Sequence, residues 1–184
     1  IDVRKDLRLR YVATPIDAMQ LLLMRRTDHA LLAEPAISMA LRKASEGPLG
    51  LVAPDLYRSV DLQQEWGRLL QREARIPQAG IALMASVKDQ PQIAARIAQA
   101  YADSLQWCSA NAERCGQLVA THLPMLSAEA VTDSLAVAQM EAVPAAEARA
   151  EVEYLFELLL QKNPALIGGK LPADDFYSPV SDQR

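Results

Sequence analysis

Residues 7–13 run Leu7-Arg8-Leu9-Arg10-Tyr11-Val12-Ala13, with an apolar side chain at every second position as far as Tyr11. A two-residue period gives an extended chain one apolar and one polar face, so the pattern predicts a half-buried strand over 7–13. At Thr14-Pro15 the period changes. Thr14 suits a helix N-cap, Pro15 the first turn, and Asp17 the positive end of the dipole. Ile16, Met19, Gln20 and Leu23 then share one helical face, with Leu22 beside them, and Arg25-Arg26 supplies closing charge. The short apolar stretch 29–33 predicts a second, buried strand, because four to six apolar residues between polar bounds suit a strand better than a helix. Glu34-Pro35 opens the next helix, and Gly47-Pro48 stops it.

The same reading continues downstream. Residues 49–53 predict a third strand, and Asp61 caps a helix to about Glu73 with Leu62, Trp66, Leu69 and Leu70 inward. Residues 79–85 predict a fourth strand. Asp89 caps a long helix on which Ile93, Ile97, Ala100, Ser104 and Cys108 recur at helical spacing. A helix over 114–122 is halted by Pro124. Ser127 begins another with Ala130, Val131, Leu135 and Val137, and Pro144 begins the last, striped by Val152, Leu155, Phe156 and Leu159. The tail from Gly168 reads as loop. Strands and helices alternate in the first half and helices fill the second, so the order predicts an α/β chain with a helix-rich C-terminal half.

A length of 184 residues allows one compact domain or two small lobes. Hydrophobic residues make up 51% and charged residues 23%, which suits a globular chain with a real core and excludes a disordered one. The formal charge is −4, and basic residues are dispersed apart from residues 4–10 and Arg25-Arg26. No basic stripe is present to displace counterions from phosphates, so nucleic acid is not an expected partner. No apolar run approaches the roughly 20 residues a membrane helix needs. The opening Ile1-Asp2-Val3-Arg4-Lys5-Asp6 has no signal-peptide core, and the chain reads as part of something longer.

Cys108 and Cys115 lie seven apart. In one continuous helix that spacing rises about 10.5 Å, too far for a disulfide, whereas a bend at residues 109–112 would let the sulfurs meet. A cystine would indicate an oxidising compartment; two buried thiols acting as small hydrophobes is the other reading.

His29 and His122 stand far apart, neither in a metal-binding spacing, and each suits a structural place. Gly168-Gly169-Lys170 is followed by Leu171-Pro172, which is not a phosphate loop, and no nucleophile elbow or dinucleotide fingerprint occurs. No catalytic residue, metal or cofactor is therefore expected, and the chain reads as a binder rather than an enzyme. Glu34 is the informative carboxylate. It ends an expected buried strand and precedes a proline-started helix, where α/β sheets bind small ligands. The alternative is that Glu34 only complements the helix after it.

The run Tyr11-Val12-Ala13-Thr14-Pro15, then residues 18–22, then Asp28-His29-Ala30-Leu31-Leu32-Ala33-Glu34-Pro35, resembles the second lobe of type II substrate-binding proteins of ABC importers. The branch is the one handling nitrate, sulfonates, taurine and thiamine precursors. Arg26 stands where that branch has a turn glycine. The similarity continues through Pro77 with residues 80–85, through Ala100-Tyr101, Ser104-Leu105, Trp107 and Asn111, and into Tyr154-Leu155-Phe156, residues 164–169, Pro172 and Phe176-Tyr177. The resemblance implies an incomplete two-lobe, periplasmic-binding-protein-like fold of type II. Residues 1–48 would be part of the second lobe; residues 49–184 would be crossover strands and the helical C-terminal part of the first. It implies that Thr14 and Glu34 face a ligand cleft, with Gln78 a further candidate, and that two lobes close over a small anion, sulfonate or pyrimidine-like solute. The implied partner is a membrane permease, and the implied location periplasmic or otherwise extracytoplasmic. Two other functions fit the same resemblance: a ligand-sensing domain of a regulator, and a thiamine-precursor-type enzyme.

Overall fold

The computed structural model describes residues 3–46, 55–87, 90–138 and 140–177. Among them every regular element is a helix and there is no strand, and this corrects the expected α/β, type II binding-protein architecture. Eight α-helices are present among the described residues: α1 (Val3–Asp6), α2 (Pro15–Leu23), α3 (Ala36–Ser45), α4 (Leu62–Leu70), α5 (Pro91–Ala110), α6 (Ala112–His122), α7 (Ala128–Val137) and α8 (Ala145–Lys162). Short 3-10 turns cover Ala85–Val87, Pro164–Ile167 and Asp174–Tyr177.

The expected strands among the described residues meet the same physical obstacle. A strand is stable only when its backbone groups pair with a neighbour, whereas a helix satisfies its own. Residues 7–13 and 29–33 have the apolar content but find no ladder, and Leu7, Leu9, Tyr11 and Leu31 stay exposed. His29 is likewise exposed rather than leading a buried strand. Residues 79–84 are irregular, and Ala85 enters a 3-10 turn. The expected strand at 49–53, the stop at Gly47-Pro48 and the Asp89 cap lie outside the described residues.

The chain divides into two compact units. One comprises residues 1–58 and 107–139, the other residues 59–106 and 140–184, so the chain passes between them three times, once inside α5.

In the first unit, α2, α3 and α7 share a core of Met19, Met39, Ala40 and Ala130, with Ile16, Leu23, Leu32, Leu56 and Leu126 packed against it. The α2 start is a capping box: Thr14 Oγ accepts from the Asp17 N–H, and the Asp17 carboxylate accepts from the Thr14 N–H at 3.0 Å. Ser127 caps α7 by its side chain alone, accepting from the Ala130 N–H. The α2 helix ends at Leu23, and Arg25, expected inside its last turn, sits at φ 54 beyond it.

Between α5 and α6 the chain breaks at Asn111 (φ −134, ψ 49), which brings Cys108 and Cys115 to a Cα separation of 5.1 Å and a bonded S–S pair. Cys115 is buried and Cys108 half-buried. Asn111 secures the break by donating its side-chain N–H to the Trp107 carbonyl at 2.9 Å. Next to Cys115, Gly116 lets α6 lie directly on α7: a Cβ there would stand 2.3 Å from the Ala128 carbonyl oxygen.

In the second unit, Trp66 of α4 packs edge-on to Tyr154 of α8 at 6.0 Å, and Arg72 lies 3.9 Å over the same ring. Asp61 caps α4 as expected from its residue type, accepting from the Gln63 and Gln64 N–H groups. The helix stops three residues before Glu73, because Gln71 turns left-handed at φ 53. Leu62 and Leu69, expected inward, are 49% and 65% exposed, and Trp66 and Leu70 alone keep that face half-buried. On α8, Phe156 meets Phe176, and Phe176 meets buried Tyr177, in edge-on pairs. Phe176 and Tyr177 therefore pack on α8, with Gly168 and Gly169 both at positive φ in the turn that leads toward them.

Candidate functional site

A row of converging polar residues lies along α3 in the first unit. Glu34, Ser38 and Arg42 follow one another at intervals of four, which places them in a row on one helical face. Glu34 stands just before the helix, joined to Pro35 by a cis peptide bond. One of its carboxylate oxygens accepts from the Ser38 N–H at 3.1 Å, satisfying a donor of the first turn. Its other oxygen accepts from Arg58, at 3.2 Å from Nε and 2.5 Å from a terminal nitrogen. That same terminal nitrogen donates to Ser38 Oγ at 3.0 Å. The Glu34 side chain keeps 17% of its surface and Arg58 40%, while Ser38 is buried to 1%. The cluster is thus a half-sheltered carboxylate and guanidinium seated on a buried hydroxyl.

One turn further along, Arg42 binds Asp133 of α7 through two parallel hydrogen bonds, 2.5 Å from Nε and 2.9 Å from a terminal nitrogen. The hydrogen bond from Arg42 holds the Asp133 carboxyl below the usual carboxylate range, against the opposing effect of its partial burial. A carboxyl depressed in the folded state contributes stability that is present above its unfolded value, near 3.8, and is lost as pH falls through the lower folded value. Asp133→Asn is therefore expected to flatten the acid side of the pH–stability curve of the first unit. Urea midpoints measured from about pH 6 downward would show the wild type approaching the variant as the pH falls.

Of the residues expected at the site, Thr14 is exposed and its hydroxyl is engaged in the α2 capping box, so its role is that of a cap. Glu34 does what the simpler reading asked of it, complementing α3, and also holds Arg58. Both belong to the first unit. Gln78 is exposed in the second unit. Arg58 and Asp133 escaped the sequence reading because they stand 24 and 91 residues from their partners. The four-residue spacing of Glu34, Ser38 and Arg42 was a usable signal for the row itself.

An open hollow of about 310 Å³ lies between α2 and the segment before it, with Arg10, Val12, Asp17 and Met24 among its lining residues. Among the described residues no three His, Cys, Asp or Glu side chains gather as a metal site, and no helix is long and apolar enough to cross a membrane. Tyr101 and Trp107 are 49% and 36% exposed. No protein family, curated protein or solved structure matches this chain.

Proposed function

We propose that the chain is a solute-recognising component of an ABC importer, capturing a small polar molecule without turning it over. The observation that carries this reading is the Glu34–Ser38–Arg58 cluster. It presents one anionic and one cationic group side by side, only partly solvated, on a rigid helix start. A solute with its own charged group can replace one partner of that pair and inherit the other, together with the buried hydroxyl. The resemblance in motif order is what suggests an ABC importer; the cleft it implied for Glu34 is not carried over, since the described residues form no sheet. The Cys108–Cys115 bond supports an extracytoplasmic location, because structural disulfides persist where thiols are not kept reduced.

The test is a thermal-shift screen against nitrate, alkyl sulfonates, taurine, pyrimidines and amino acids. A solute at 100 times its dissociation constant adds about 2.7 kcal/mol, enough to move the midpoint by several degrees. Glu34→Gln keeps a hydrogen-bond acceptor for the Ser38 N–H but removes the charge. It is expected to abolish the shift produced by a solute that pairs with the carboxylate while leaving the unliganded midpoint within about a degree or two, as for a partly exposed ion pair. A flat screen with the wild-type chain, or a shift that Glu34→Gln leaves intact, overturns the assignment of the site.

A further inference from the structure

The segment before α2 has a property the solute site does not use. Residues 8–13 make no backbone hydrogen bond to any described residue. Their neighbours in sequence are helical, so this is a short length of chain with six consecutive residues' amides and carbonyls unpaired. Along it the apolar Leu7, Leu9 and Tyr11 alternate with Arg8 and Arg10, all five are exposed, and Arg10, Val12 and Ala13 line the hollow against α2. Alternation of this kind is what an extended chain needs in order to show two chemically distinct faces.

We propose that residues 8–12 bind a partner protein by adding as a strand to the edge of its β-sheet, and that the partner's edge strand carries acidic residues opposite Arg8 and Arg10. An edge strand offers a row of unpaired N–H and C=O groups that matches the row left open here, so main-chain hydrogen bonds supply the affinity. Side chains then choose the partner. A second copy of this chain is disfavoured: antiparallel pairing centred on Leu9 sets Arg8 of each strand against Arg10 of the other, and parallel in-register pairing sets each arginine against itself. Like charges directly opposite destabilise a ladder, whereas a carboxylate opposite each arginine stabilises it. Leu7, Leu9 and Tyr11 on the other face find apolar cross-strand neighbours in any half-buried edge. The structure thus points to an acidic, apolar-alternating strand in another protein.

The probe is a disulfide-cyclised β-hairpin peptide whose free edge alternates Glu and Val, with a Lys-for-Glu version as its counterpart. Amide hydrogen exchange by mass spectrometry on the full chain is expected to slow about tenfold or more over residues 8–12 with the Glu hairpin, and to be unchanged in α2, α3 and α7. The Lys hairpin should give no protection. Leu9→Pro removes a ladder donor at an exposed position outside every helix, so it should abolish protection while leaving the circular dichroism of the helices intact. Reversing both charges, Arg8→Glu with Arg10→Glu, should exchange the preference to the Lys hairpin. Equal protection by both hairpins, no protection by either, or protection that grows with protein concentration without any hairpin overturns the proposal. The solute screen is independent of all these outcomes, since it reads Glu34 and not the segment.

Discussion

Gly116→Val is expected to destabilise the first unit by about 3 kcal/mol, the upper part of the range for forcing extra atoms into a packed contact. The effect should be read as a lowered urea midpoint of that unit. A Cβ at this position meets the Ala128 carbonyl oxygen at 2.3 Å and the Thr132 hydroxyl at 2.6 Å. The hydroxyl is not free to swing away without loss, because Thr132 already donates to the Ala128 carbonyl at 2.9 Å. The carbonyl belongs to the α7 backbone, so relief requires α6 and α7 to separate. That separation would disturb Ala130 and Val131 of the same helix, both buried. Gly116→Ala tests the mechanism from the other side. Alanine regains about 1 kcal/mol of helix propensity and yet introduces the same Cβ, so the cost of the contact is the net loss of stability plus about 1 kcal/mol. Equal midpoints for wild type and both variants would mean that α6 does not lie against α7 in this way.

The second large effect concerns the disulfide. Reduction, or Cys108→Ser, is expected to lower the stability of the first unit by about 2.5 kcal/mol, the loop-closure value for a ring of eight residues. Cys108 is the better position to change, since it is half-buried, whereas a serine at buried Cys115 would add the cost of an unpartnered hydroxyl. The break at Asn111 should then loosen, and hydrogen exchange should rise at the end of α5 and the start of α6 before it rises in α7. Thiol labelling of the denatured, unreduced protein checks the premise. Labelling at neither cysteine supports the oxidising location on which the importer reading draws. Labelling at both removes that support and leaves the two side chains as small hydrophobes.

What was legible in the sequence divides along a physical line. Helix starts were legible because a cap is a local event. Thr14, Asp61 and Ser127 each accept hydrogen bonds from N–H groups two or three residues on, and no distant segment takes part. The possibility of a Cys108–Cys115 bond was open for the same reason, since a bend within four residues decides it. Which faces of the helices become interior was less legible. The stripe Ile93–Ile97 on α5 has the right period, but both side chains remain more than a third exposed, and the helix buries no residue. A period says that a face is apolar, not that another element covers it.

The strands were not decidable at all from one chain's pattern. Residues 7–13 alternate as a strand should, and only the presence of a neighbouring ladder could have made them one. The charged row shows the same division within a single site. The four-residue spacing of Glu34, Ser38 and Arg42 was written in the sequence, as a helix turns about 100° per residue and returns every fourth to the same face. Their partners were not, because Arg58 and Asp133 reach them across 24 and 91 residues, a distance that only the packing of α3 against α7 and the return of the chain to Glu34 could close. By itself, then, the sequence determined where helices begin, which residues share a face, and which local pair of cysteines could meet. The tertiary structure alone decided that the apolar alternation would go unpaired and which charges would neutralise one another, because both depend on contacts between segments that local periodicity does not encode.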